Sequence, residues 1–249
     1  MLISVITVAY NAAGTIAKAI DSVKTQAYGA VEHIVIDGAS TDATVSIVQN
    51  RADARLLLIS EPDRGIYEAM NKGLDRANGD IVCFLNADDY YAHSKVLSSV
   101  AAQMREHDLD ALIGDVGFFR ERDSSRMVRR YRSDRFHPSR LAWGWMPAHP
   151  ALFFSHSVVK RVGRFKTDYR IAGDFEYIVR AFCGHDLRYR HLPEVLVHMQ
   201  TGGASTNGWR SKILLNREVL RACRENGLQT NMLKIISKYP LKILELLQK

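Results

Sequence analysis

The N-terminal part of the chain alternates two hydrophobic rhythms. Residues 2–9 are β-rich and almost continuously apolar, the pattern of a strand covered on both faces. Ile16, Ile20 and Val23 then recur at helical spacing. A second strand is read over residues 33–36, ending at Asp37-Gly38. Ser40-Thr41-Asp42 stands where it can cap a following helix that carries Val45, Ile47 and Val48. Residues 55–59 read as a third strand, and Ile66, Met70 and Leu74 as a helical stripe closed by Asn78-Gly79. Residues 81–85 read as a fourth strand, running straight into Asn86-Ala87-Asp88-Asp89.

Strands that alternate with helices predict a mostly parallel α/β sheet flanked by helices. Ligands of such sheets bind beyond the carboxyl ends of the strands. The polar tails at those ends are Thr7 with Tyr10 and Asn11, Asp37, residues 61–64, and Asp88 with Asp89. Four polar clusters are thus expected along one edge.

The second half is less regular. Residues 110–116 read as a strand, and the arginine-rich stretch after it as a loop or an exposed hairpin. Residues 143–150, aromatic and with two prolines, read as a structured loop, and 152–154 as a short strand. Helical patterns cover 174–182 and 211–223, and residues 233–249 end the chain. No internal repeat or low-complexity linker interrupts it. One body with a nucleotide-like half and an irregular half is the expected organisation.

Composition adds exclusions. The 249 residues are 47% hydrophobic and 24% charged, ordinary globular values that rule out wholesale disorder. Cys83, Cys183 and Cys223 are far apart and never form a Cys-x-x-Cys spacing, which argues against a disulfide scaffold or zinc ribbon and fits a reducing compartment. No apolar run approaches the ~20 residues of a membrane span. The first residues lack the basic region and cleavage site of a signal peptide, so a cytoplasmic location is expected. The net charge of +7 points to anionic partners: nucleotide phosphates, nucleic acid or an acidic membrane surface. Residues 120–135 hold seven arginines against three acidic residues, and residues 234–249 four lysines against one glutamate. A solvated basic surface is the plainer reading of each cluster.

Asp88-Asp89, on a turn after a buried strand, is suited to a divalent cation that neutralises a diphosphate, although aspartate is also common in turns and caps. Asp37-Gly38-Ala39-Ser40-Thr41-Asp42 offers a strand-end carboxylate for a base or ribose, with glycine allowing close backbone approach. Neither a Gly-x-Gly-x-x-Gly fingerprint nor a Walker loop is present, which disfavours dinucleotide dehydrogenases and P-loop kinases. Asp42 is best placed to stabilise a first helical turn.

Thr7-Val8-Ala9-Tyr10-Asn11, Asp37-Gly38-Ala39-Ser40-Thr41-Asp42, the run Glu61-Pro62-Asp63-Arg64-Gly65-Ile66-Tyr67-Glu68-Ala69-Met70-Asn71-Lys72-Gly73 and Phe84-Leu85-Asn86-Ala87-Asp88-Asp89 occur in an order and spacing that resembles family 2 glycosyltransferases. The whole resembles the bacterial branch that builds cell-surface polysaccharides, over roughly residues 1–205. The resemblance implies a GT-A, Rossmann-like fold: a catalytic domain over 1–205, with 1–115 as nucleotide-sugar half and 116–205 as acceptor half, then a helical extension over 206–249. It implies an inverting hexosyl- or N-acetylhexosaminyl-transferase that uses a nucleotide-diphosphate sugar, with a lean to UDP, and a glycan or lipid-diphosphate-linked acceptor. Thr7 and Tyr10 are then expected to line the nucleotide pocket, Asp37 to read the base, and Asn71 and Gly73 to sit beside the pocket. Asp88 takes the role of metal ligand for Mn2+ or Mg2+. Asn86 stands where the family's Asp-x-Asp motif begins, an amide that hydrogen-bonds without bringing charge. Met70 stands where many relatives carry arginine.

By the same resemblance, Gly173-Asp174-Phe175-Glu176 is similar to the family segment that supplies the catalytic base. A single displacement needs a carboxylate that takes the acceptor's proton. Asp174 matches that base, Glu176 is its reserve, and an N-cap is the structural alternative for Asp174. His149 in His149-Pro150-Ala151 is an acceptor-side candidate or a packed histidine. Trp143 and Trp145 are candidates for stacking on a sugar or for the core. Gly202-Gly203-Ala204-Ser205 resembles a loop that closes over the diphosphate, with an ordinary surface turn as the alternative. In the tail, Lys242, Glu245 and Lys249 share one helical face, and Ile243, Leu244 and Leu247 another. This fits either a peripheral helix on an anionic membrane face or a packed one. The alternatives in other classes are a nucleotidyltransferase, whose Gly-rich basic N-terminal loop is missing, and a basic membrane or nucleic-acid adaptor. An adaptor leaves the strand-end carboxylates unexplained, so no nucleic-acid partner is expected.

Overall fold

The computed structural model describes residues 1–120, 123–200 and 208–239. Four strands form where apolar, β-branched runs meet turn residues: β1 (Ile3–Ala9), β2 (Val31–Asp37), β3 (Leu56–Ser60) and β4 (Ile81–Phe84). They pair in parallel in the order β3-β2-β1-β4, with α1 (Ile16–Lys24), α2 (Thr44–Gln49) and α3 (Ile66–Leu74) as crossovers. The register pairs Ala9 with Asp37 and Asp37 with Ser60, so the polar strand ends stand level at one edge. Period-two alternation sends Ile6 and Val8 into the core under α3, and Ile3 and Val5 into a second core on the other face. Helix α3 lies close on β1 because Gly73 leaves room: a Cβ there meets Ile6 Cγ2 at 2.4 Å. Gly73, expected beside the nucleotide pocket, is instead a packing glycine.

Beyond β4 the sheet becomes mixed. After β5 (Tyr90–Tyr91) and α4 (Val96–Glu106) come β6 (Ala111–Arg120), β7 (Asp123–Tyr131) and β8 (Leu152–Ser155). They are followed by α5 (His156–Val162), α6 (Gly173–Cys183) and β9 (Tyr189–Gln200). The order continues β4-β8-β6-β9-β5, with β7 paired to β6. The arginine-rich stretch is the hairpin β6–β7. It is held by buried Asp115, which accepts from Arg130 (2.8 Å) and the Ser133 N–H (2.8 Å) and pairs with His191 (2.8 Å). Two 3-10 turns, Pro138–Trp143 and His149–Ala151, form the aromatic, proline-containing region.

Helices α7 (Gly208–Glu225) and α8 (Met232–Ile236) close the fold. Val219, Ala222, Cys223 and Ile235 are buried in the same core as Phe175 and Ile178 of α6, so α7 and α8 share one core with α6. No helix among the described residues is long and apolar enough to cross a membrane. The Gly202–Ser205 loop and the tail helix after Pro240 lie outside the described residues.

Candidate active site

Two adjoining hollows open along the carboxyl edge of β1–β4. The first, about 480 Å³, is walled by the end of β1, Gly38, Ala39, Asp63, Arg64 and the start of α3. The second, about 560 Å³, is lined by Asn11, Tyr67, Met70, Asn86, Asp88, His149, Arg170, Ile171, Asp174 and Met199, among others. Val8, Tyr10 and Ile66 belong to both, so the hollows form one continuous cleft of a size suited to a nucleotide-linked ligand. Tyr10 is 67% exposed at their junction, an aromatic face left open to the cleft.

The first hollow is built by the turn after β2. Asn11 and Ala39 hold left-handed backbone, with φ of 49° and 59°, a conformation disfavoured for residues with a Cβ and common at binding sites. Cross-links hold it: the Ser40 hydroxyl donates to Asp37 Oδ1 at 2.5 Å and accepts from Asn11 N–H at 2.8 Å, while Asn11 Oδ1 accepts from Thr41 N–H at 2.9 Å. Gly38 leaves room for Asp63, whose Oδ2 would stand 2.6 Å from a Cβ there and would have to turn aside. Asp37 itself is fully buried beneath this turn, its Oδ2 accepting from Ser40 N–H at 2.9 Å and Ser60 Oγ at 2.7 Å. The carboxylate expected to read a base therefore shapes the pocket from below.

Four further residues sit elsewhere than the motifs suggested. Thr7 points to the face opposite Val8, where its hydroxyl meets His33 Nε2 at 2.9 Å in the interior. Burial lowers the His33 pKa to about 4. Asn71 is a lock between the two halves: its Nδ2 donates to Phe165 O at 2.9 Å and its Oδ1 accepts from Phe165 N–H at 2.8 Å. Glu176 is fully buried away from the cleft, paired with Arg180 at 2.9 Å and Lys166 at 3.0 Å. Two residues along a helix rotate a side chain by about 200°, which is why Glu176 and Asp174 face opposite ways. Half-buried Trp145 lies between the two 3-10 turns and is not part of the cleft wall.

Five of the expected residues meet in the second hollow: Tyr10, Asn86, Asp88, His149 and Asp174. His149 is buried and stacked on Phe84 (5.4 Å between centroids), and burial lowers its pKa to about 4, so the ring is neutral at physiological pH. Asp174 opens α6 with one oxygen accepting from Phe175 N–H at 2.7 Å; burial pushes its pKa up to about 6. It is a carboxylate at neutral pH, with raised proton affinity.

The turn after β4 is the candidate cation site. Asp88 is half-buried and lines the cleft. Asn86 Oδ1 is buried without a partner, as is Asp89 Oδ1, while Asn86 Nδ2 donates to Asp89 Oδ2 at 3.3 Å. Burial, reinforced by the neighbouring Asp88 charge, raises the Asp89 pKa well above the usual carboxylate range. Among the described residues no cluster of three or more His, Cys, Asp or Glu side chains is arranged to hold a metal. The orphaned Asn86 oxygen beside Asp88 still forms an all-oxygen pair, which fits a hard cation that takes its remaining ligands from a diphosphate and water.

Three residues of the site carried no role in the motifs. Tyr67 Oη donates to Ile171 O at 2.7 Å and accepts from Gly173 N–H at 2.8 Å. Arg170 puts a charged side chain in the cleft, and Glu218, on α7, accepts from the Arg170, Ile171 and Ala172 N–H groups. These contacts span 46 to 106 residues of sequence, so no local pattern announces them.

A parallel sheet that widens into a mixed one, flanked by helices and with Asn86, Asp88 and Asp174 lining one cleft at its carboxyl edge, has the architecture of the GT-A fold. The chain belongs to the family described as Glycosyl transferase family 2, whose model matches residues 4–161. It is 30% identical over 220 residues to a PGL/p-HBAD biosynthesis glycosyltransferase of Mycobacterium tuberculosis, covering 87% of this chain and 83% of that protein. Its fold is similar to S. aureus TarS in complex with UDP-GlcNAc (TM-score 0.73, 21% identity, 92% of this chain and 68% of that one). It is also similar to a mannosyltransferase from Pyrobaculum calidifontis in complex with GDP-Man and Mn2+ (TM-score 0.66, 24% identity, 90% and 63%).

Proposed function

We propose that this glycosyltransferase moves a sugar, with inversion, from a UDP-linked donor to a hydroxyl of a glycan or lipid-linked acceptor in cell-surface glycan synthesis. The observation that carries the reading is a single cleft holding both a proton-accepting carboxylate, Asp174, and the oxygen-donor turn of Asn86 and Asp88. The nucleoside occupies the first hollow, against Tyr10 and the Gly38–Ala39 backbone that Asp37 holds in place. The diphosphate faces the turn after β4. Asp88 and Asn86 Oδ1 would hold a divalent cation, Mn2+ or Mg2+, whose chemistry is to neutralise the leaving diphosphate. The acceptor enters past Arg170 and His149. As its oxygen bonds to the anomeric carbon and the bond to the diphosphate breaks, the hydroxyl proton passes to the Asp174 oxygen left free by the Phe175 N–H bond. Residues 1–115 serve the donor and 116–205 the acceptor, with the C-terminal helices packed on the acceptor side. The basic surface favours an acceptor presented at an anionic membrane face.

A nucleotide-sugar donor is supported by two neighbours of the same fold, one named with UDP-GlcNAc and the other with GDP-Man and Mn2+. Two assays test the reading. Thermal shift with UDP, GDP and dTDP, with and without manganese, is expected to give its largest, metal-dependent response with UDP. NMR of the product is expected to show an anomeric configuration opposite to the donor's; retention overturns the proposed mechanism.

A further inference from the structure

Glu218 lies on α7, a helix otherwise rich in arginine and outside the residues matched by the family model. It is 7% exposed, and among the described residues no arginine or lysine is paired with it. Its partners are three consecutive backbone N–H groups: Arg170 donates to Oε1, and Ile171 and Ala172 donate to Oε2, each at 2.8 Å. The next N–H, of Gly173, goes to Tyr67 Oη, whose own proton goes back to Ile171 O. Gly173 is pinned against that ring, since a Cβ there lies 2.7 Å from it. The backbone just ahead of α6 is therefore held from α7 on one side and α3 on the other. From this stretch Arg170, Ile171 and Asp174 reach the cleft.

A buried carboxylate with no cation beside it is costly unless hydrogen bonds replace its lost water. Three converging N–H groups do so, forming an anion-binding concavity. Both carboxylate oxygens are needed: the amide of glutamine can accept at one, but presents an N–H where Arg170 N–H already points.

We propose that Glu218 is a positioning residue for sugar transfer, fixing the Arg170–Ala172 backbone so that Asp174 and Arg170 face the substrate. The inference rests on the reading of Asp174 as the base. It makes the C-terminal helix part of the catalytic apparatus. The groups that face Asp174 are Tyr67 from α3, Glu218 from α7, Arg170 from its own loop, and Asp88 and His149 from across the cleft. The Glu218 charge adds to the upward push on Asp174 that burial dominates. Tyr67 is held above the usual tyrosine range by burial, and His149 is already neutral above pH 5, leaving Asp174 to set the acid limb near 6.

The test compares wild type, Glu218→Gln, Glu218→Asp and Asp174→Asn in the full chain. Glu218→Gln is expected to keep its donor KM while kcat falls about ten- to a hundred-fold, the scale of small misplacements at a reacting centre. The midpoint of its kcat–pH acid limb is expected to move to lower pH, which simple loss of folded enzyme does not produce. Glu218→Asp, keeping the charge on a shorter stem, is expected to retain the wild-type limb more closely. Amide hydrogen exchange of residues 170–172 is expected to be protected in wild type and faster in Glu218→Gln. Wild-type kcat and acid limb in folded Glu218→Gln overturn the proposal while an inactive Asp174→Asn leaves the base in place. Full activity in Asp174→Asn refutes the base reading instead. Should neither Glu218 variant fold, unprotected 170–172 amides in wild type overturn the inference.

Discussion

Replacing Asp174 by asparagine is expected to stabilise the protein while disabling it. The carboxyl titrates at about 6 in the folded chain against an ordinary 3.8, because burial disfavours its charge. Folding is thus opposed by ionisation of this group, and the sign follows by linkage. Below pH 4 the acid is neutral in both states and costs nothing. As pH rises from about 4 to 6 the unfolded chain ionises first, and stability falls; above 6 the penalty is constant. The gap corresponds to about 3 kcal/mol at neutral pH, an upper bound for a half-buried group. Asparagine keeps an oxygen for the Phe175 N–H bond and has no charge to bury. Urea unfolding of both proteins at several pH values between 4 and 8 measures the effect. Asp174→Asn is expected to be more stable by about 1–3 kcal/mol at pH 7.5, with the advantage vanishing near pH 4. A difference that is independent of pH, or a less stable mutant at pH 7.5, refutes the assignment of a base whose charge is disfavoured by burial.

Other substitutions separate binding from architecture. Asn71→Leu leaves the Phe165 N–H and C=O without partners in the interior, so calorimetry should report a loss of about 2–5 kcal/mol of stability with donor affinity in the surviving fold unchanged. Gly38→Ala puts a methyl where the Asp63 carboxylate stands, displacing that wall of the first hollow, and is expected to weaken nucleotide binding about tenfold by titration, with little change in melting temperature. Asp88→Ala should abolish both transfer and the manganese-dependent part of UDP binding; a mutant as active as wild type, or wild type unaffected by excess chelator, contradicts the cation site.

The N-terminal sheet was readable because β1 and β4 are nearly continuous apolar runs, β2 carries Ile34-Val35-Ile36 before its closing Asp37-Gly38, and α1 and α3 carry clear helical stripes. Strand β9 is not legible: Pro193 interrupts it, only Leu196 and Val197 are fully buried, and its register against β6 shifts near Asp115. At the site, motif order brought Tyr10, Asn86, Asp88, His149 and Asp174 to one cleft. It did not reveal which face each residue presents. Thr7 and Val8 are adjacent, yet strand alternation gives the cleft to Val8; Asn71 and Glu176 are polar residues spent on tertiary bonds inside the fold. Glu218 is hidden for a different reason: its meaning arises only when α7 packs against the N-terminus of α6, far away in sequence.

The central claim is that Asp174 takes the acceptor's proton, and initial-rate kinetics of Asp174→Asn beside Glu176→Gln test it most directly. Wild-type turnover is expected to show an acid limb with a midpoint near pH 6, set by the buried carboxyl. Asp174→Asn should lose about 10²–10⁴-fold in kcat with an unchanged donor dissociation constant. Glu176→Gln, altering an ion pair outside the cleft, should keep turnover within a few-fold while lowering stability. An inactive Glu176→Gln beside an active Asp174→Asn contradicts the account.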